Sequence, residues 1–191
     1  HRLYAGDLRT ALDVCVGVRL GDGAISVDQG KLGLAGHSTG GGAAILAASE
    51  DARVRAVATV APAEVRPSAL DAAAKCGMPG MHIAGGRDLI APAAGHAEAI
   101  AHAWAGPVTL RSVTKATHLG FTEGRHWSQL LLDGKPERST QRIANALLTA
   151  FFLVHLAGEK RYQPLLDDSI KRCPIEFRRS PEISAARVAK R

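Results

Sequence analysis

Cysteine is scarce. Cys15, Cys76 and Cys173 are the only three in 191 residues, odd in number and far apart. Such spacing argues against a disulfide framework and against paired metal-ligating cysteines, and it favours a reducing, cytoplasmic setting over an oxidising one. Aromatic residues are also few, at 4%. No basic helix with interleaved aromatic rings and no known nucleic-acid-binding module is visible, so a nucleic-acid partner is not expected. The net charge of +6 comes largely from the end of the chain, where Lys171-Arg172, Arg178-Arg179 and residues 187–191 read as a solvated basic tail. Long apolar runs are missing as well. The longest, residues 143–158, contains Asn145 and His155 and is short of the about 20 residues that a membrane-spanning helix needs, so no stable membrane insertion is expected. No leader peptide is visible, but the chain starts at His1 rather than Met, and this absence decides nothing.

What is present is a globular composition, 46% hydrophobic and 22% charged, in a length that suits one domain with a sizeable core. Residues 7–18 have helical periodicity, with Leu8, Ala11, Leu12, Cys15 and Val18 on one face, so Cys15 is expected in the core. Residues 54–60, VRAVATV, are rich in β-branched side chains and predict a strand. Further strands are expected over 81–84 and 108–113, with helices over 39–49 and 93–104, a short one within 64–75, and a long one over 139–156 carrying Ile143, Leu147, Phe151 and Val154 as its stripe. Strands alternating with helices predict an α/β fold, a mostly parallel sheet covered on both faces.

Residues 31–42, KLGLAGHSTGGG, are the most informative stretch. A short apolar strand over 31–35 runs into Gly36-His37-Ser38-Thr39-Gly40, which fits the Gly-x-Ser-x-Gly strand-to-helix turn that presents a nucleophilic hydroxyl. The glycines on either side of Ser38 are expected where strand and helix backbones approach too closely for a Cβ. The Thr39 N–H would sit at the helix N-terminus, suited to a developing oxyanion. The plain alternative is a glycine-rich turn with an ordinary serine.

A serine nucleophile needs a base, and the base needs an acceptor. Asp88 follows the strand over 81–84 and His118 follows the strand over 108–113, at the carboxyl ends where α/β sheets place ligands. The order Ser38, Asp88, His118 is the one this turn requires. Asp88 could otherwise cap a turn before Ile90-Ala91-Pro92, and Glu64 is a rival acid. His126, His96 and His102 are rival bases, the last two on the expected helix. His37 reads as a packing residue of the turn, because adjacent side chains there diverge.

At these residues the chain resembles the α/β-hydrolase family. GHSTGGGAA at 36–44, GRDLIAP at 86–92 and THLGF at 117–121 are similar to the turn, acid loop and histidine loop of its dienelactone-hydrolase and cutinase-like branch, which includes chlorophyllases and platelet-activating-factor acetylhydrolase-like esterases. The resemblance runs from about residue 7 to 156. It implies a serine carboxylester hydrolase with Ser38 as nucleophile, Asp88 as acid, His118 as base and the Thr39 N–H as one oxyanion donor, no cofactor or metal, and a small-molecule or lipid-like ester as substrate. Two features depart from the family. Its second oxyanion donor lies on a loop well before the nucleophile, and only 37 residues precede Ser38 here. Residues 1–160 are therefore expected to be the C-terminal part of such a domain, lacking its N-terminal strands, with 161–191 as a basic tail. Cutinase-like polyester hydrolases also carry an aromatic clamp after the strand that follows the turn, where this chain has Ala61-Pro62-Ala63-Glu64-Val65. A non-catalytic hydrolase-like binding domain and an acyltransferase with the same triad are the competing expectations.

Overall fold

The computed structural model describes residues 1–23, 25–123 and 136–167, and the backbone of 175–179. His126, Cys173, Lys171-Arg172 and residues 187–191 lie outside the described residues.

Helix α1 (Arg2–Gly17) opens the chain, followed by an antiparallel ribbon of β1 (Arg19–Leu20) and β2 (Ile25–Ser26). Asp28 then caps a single 3-10 turn, Gln29–Lys31, its Oδ1 accepting from the Gly30 N–H at 2.9 Å. The turn delivers the chain into β3 (Leu32–His37) and directly on into α2 (Thr39–Glu50). Next come β4 (Val54–Val60), α3 (Ala69–Ala73), β5 (Gly80–Gly85), α4 (Ala97–Ala103), β6 (Val108–Val113), α5 (Arg138–His155), α6 (Gln163–Asp167) and β7 (Ile175–Arg179).

The five-stranded sheet has the order β3-β4-β5-β6-β7. The first four strands are parallel, and β7 runs antiparallel to β6. Both faces are covered, which is why β4 and β5 read as almost unbroken apolar runs rather than as alternating strands. On one face Leu34, Ile45, Val57, Ile100 and Trp104 pack beneath α1 to α4. On the other, Met81, Ile83 and Val113 meet Ala144, Leu147 and Phe151 of α5. Parallel strands with covering helices on both sides are the expected α/β-hydrolase-type arrangement.

Several local expectations change. Cys15 is exposed, not core. Helix α1 touches the molecule through a narrower stripe than its periodicity predicts, with Ala5 and Leu12 buried, and ion pairs Arg9–Glu50 (3.1 Å) and Arg53–Asp13 (2.7 Å) tie it down. The helix expected over 93–104 is split. A 3-10 turn, Ala93–Gly95, precedes α4, and between them His96 leaves helical geometry (φ −128°, ψ −98°) to accept a hydrogen bond at Nδ1 from the Glu64 N–H at 2.8 Å. In α5 Leu147 and Phe151 are buried, whereas Ile143 and Val154 are half-buried. Within the stretch read as a basic tail, α6 and β7 are regular structure.

Candidate active site

Ser38 stands between β3 and α2 in the left-handed region (φ 54°, ψ −126°). A non-glycine residue there stores strain on the order of 1–3 kcal/mol, tolerated only where the surroundings over-determine it. Here they do. The Ser38 N–H donates to the Val60 carbonyl at 3.0 Å, and the Ser38 carbonyl accepts from Gly41 at 3.0 Å and from Ala63 at 2.9 Å. The exit of β4 thus holds the turn from both sides. A Cβ on Gly36 would collide with the Gly40 carbonyl, so that position admits only glycine. Gly40 does not obey the same rule: a Cβ there meets nothing within 4 Å. The close approach falls instead on Gly42, whose Cβ would lie 2.6 Å from the Ala63 carbonyl oxygen.

The sheet register brings the other two candidates to this turn. Asp88 follows β5 and His118 follows β6, both at the carboxyl end of the sheet, where Ser38 leaves β3. His118 Nδ1 is 2.7 Å from Asp88 Oδ2, and His118 Nε2 is 2.8 Å from Ser38 Oγ. The carboxylate can only accept, so Nδ1 carries the hydrogen. In the neutral ring Nε2 is then a lone pair facing the serine hydroxyl. Asp88 Oδ1 accepts from the N–H groups of Ile90 (2.9 Å) and Ala91 (2.7 Å), so Asp88 is both a turn cap and the partner of His118. Burial of Asp88 works to raise its pKa. The hydrogen bonds from His118, Ala91 and Ile90, with the charge of His118, outweigh it and hold the carboxyl below its ordinary value.

Thr39 is the first residue of α2, so its N–H lies in the first turn of that helix. The rival acid Glu64 is engaged elsewhere: its Oε2 accepts from the Leu70 N–H at 3.0 Å, holding the loop after β4. His96 is bound to the Glu64 backbone, and His102 lies on α4 with Nε2 3.9 Å from Glu98 Oε1. The side chain of His37 does not diverge from the site. Its ring lies 4.8 Å from that of His118, with Nε2 3.2 Å from the His118 carbonyl oxygen. No sequence signal points to that contact, because the acceptor is a backbone atom.

A family described as PET hydrolase-like, an α/β-hydrolase family of cutinase-like esterases, matches residues 5–126, more than half of the chain. The chain belongs to the PET hydrolase-like family. None of the curated proteins matches it. The PET hydrolase-like match spans all three strands whose ends carry Ser38, Asp88 and His118. Membership makes this chain a hydrolase of the α/β-hydrolase kind. Among the described residues no helix is long and apolar enough to cross a membrane.

Proposed function

We propose that this chain is a serine carboxylester hydrolase working through an acyl-enzyme, with Ser38 as nucleophile, His118 as general base and Asp88 as the acid that orients it. The observation that carries the reading is the unbroken relay from Asp88 Oδ2 through His118 to Ser38 Oγ, with links of 2.7 and 2.8 Å. His118 Nε2 takes the hydroxyl proton as Ser38 Oγ attacks the ester carbonyl carbon. The tetrahedral oxyanion forms at the start of α2, where the Thr39 N–H and the helix dipole favour negative charge. Asp88, kept ionised by its donors, stabilises the imidazolium. The same proton then passes from Nε2 to the leaving alkoxide as the C–O bond breaks. His118 deprotonates a water that attacks the acyl-enzyme carbonyl, then returns that proton to Ser38 Oγ as the acyl C–Oγ bond breaks, releasing the acid.

The substrate proposed is a small or acyl-chain ester. Where cutinase-like polyester hydrolases carry an aromatic clamp, the stretch after β4 reads Ala61-Pro62-Ala63-Glu64-Val65, which offers a flat aromatic ring no aromatic partner.

A fluorophosphonate probe should label Ser38, and turnover of p-nitrophenyl butyrate should show an acyl-enzyme burst. Ser38→Ala should abolish both. Labelling or turnover that survives in Ser38→Ala would overturn the assignment.

A further inference from the structure

We propose that His37 is a positioning residue for the general base: its Nε2–H holds the main-chain carbonyl of His118 against the nucleophile turn. This rests on the serine-hydrolase reading above and adds a fourth side chain to it. The His118 ring is already committed at both nitrogens, to Asp88 and to Ser38. Those bonds set where the ring points. They do not fix how far the loop that carries it stands from the turn. The His37 contact does, because it joins the residue before Ser38 to the backbone of His118 itself, at 3.2 Å.

The chemistry of the pair settles the tautomer. A carbonyl oxygen only accepts, so His37 Nε2 carries the hydrogen and Nδ1 is bare in the neutral ring. Two imidazoles 4.8 Å apart cannot both be charged without cost, and His118 must become an imidazolium in every cycle. Burial first, then the charge of His118, push the His37 pKa below its ordinary value, against the opposing pull of the carbonyl bond and of Asp88. Among the described residues, His118 and Asp88 are the titratable groups whose charge acts on His37. On the side that borders α5, His37 shares a groove with the uncharged Ala144, Asn145 and Leu148. His37 is arranged to stay neutral while His118 carries the proton.

The same ring lines a groove of about 290 Å³ together with Val60, Phe121 and Ala144. A substrate-wall role is accordingly the competing outcome, and kinetics separate the two. His37→Phe keeps an aromatic ring and removes the donor. His37→Gln keeps a neutral N–H donor and removes the ring. With p-nitrophenyl butyrate, His37→Phe should lower kcat about tenfold at unchanged KM, and His37→Gln should recover most of the loss. A Phe variant with wild-type kcat, or one altered in KM alone, would overturn the proposal. A second measurement needs no variant. Carbon and nitrogen NMR of the wild-type imidazoles should find His37 as the Nε2–H tautomer, protonating below the ordinary histidine range, and an Nδ1–H tautomer would sink the idea whether or not His37→Phe folds. Failure of the underlying reading looks different, since it shows as activity that persists in Ser38→Ala.

Discussion

At Asp88 burial and hydrogen bonding oppose each other, and the outcome sets how the site responds to acid. Its Oδ1 serves the chain, capping the turn through Ile90 and Ala91, while Oδ2 serves His118. Asp88→Asn can keep the cap, because an amide oxygen still accepts, but it loses the charge that stabilises an imidazolium. The expected result is a folded protein whose kcat falls by on the order of 10⁴, the loss known for neutralising a triad acid in a serine protease. If Glu64→Gln were the damaging change and Asp88→Asn mild, the acid would be misassigned. The pKa of Asp88 is lowered on folding. Its stabilising contribution is therefore fully present above the unfolded value of about 3.9 and is lost as pH falls through the lower folded value. Urea midpoints at pH 7 and pH 3 should show the wild type losing more stability than Asp88→Asn. That Ser38, Asp88 and His118 meet was legible in the sequence because each follows a recognisable strand at the same end of the sheet. The His37 contact was not, since one partner is a backbone carbonyl.

Among the elements, the strands were the most legible. Residues 54–60 coincide with β4, because a strand buried on both faces announces itself as a β-branched apolar run, and residues 108–113 coincide with β6 although Arg111 interrupts its apolar pattern. Helices were harder. Periodicity over 7–18 overstated the buried face of α1, and nothing in AAGHAEAI shows that His96 will break the helix to bond the Glu64 backbone. The sheet interior also holds a polar pair. Thr59 Oγ1 of β4 meets His82 Nδ1 of β5 at 2.8 Å, and among the described residues His82 Nε2 has no hydrogen-bond partner. Burial pushes the His82 pKa down to about 3. Between about 6.5 and about 3 the unfolded chain binds a proton that the folded one does not, so stability falls with acidification by up to ~1.4 kcal/mol per pH unit. Removing both partners together in Thr59→Val/His82→Leu avoids stranding either. The double variant should flatten the fall in urea midpoint between pH 7 and pH 4.5. An unchanged slope would place the acid sensitivity elsewhere.

For the whole molecule, alternation of strands and helices was enough to anticipate a parallel sheet, whereas β7, with Arg178 and Arg179 at its end, carries no apolar-run signal. The edge formed by β3 has a physical consequence. Among the described residues this strand has a partner on one side only, β4, and its sequence LGLAGH contains neither proline nor lysine to discourage pairing. Residues 1–191 should therefore self-associate as concentration rises. Ala35 is exposed on that strand, so Ala35→Lys should suppress the association without unfolding the protein. Light scattering across a dilution series tests this, and a wild type that stays monomeric at high concentration would refute it.

The hydrogen bonds that join Ser38, Asp88 and His118 span 30 residues from Asp88 to His118 and 80 from Ser38 to His118. None of them can form while only local structure is present, because each requires a large loop to close first. Helices such as α2 and α5 can appear early in folding, but the relay exists only once β3, β5 and β6 have found their places in one sheet. Assembly of this relay is thus a late event in the history of each molecule. The relay is also among the first features lost when the sheet loosens, before most of the helical content has gone.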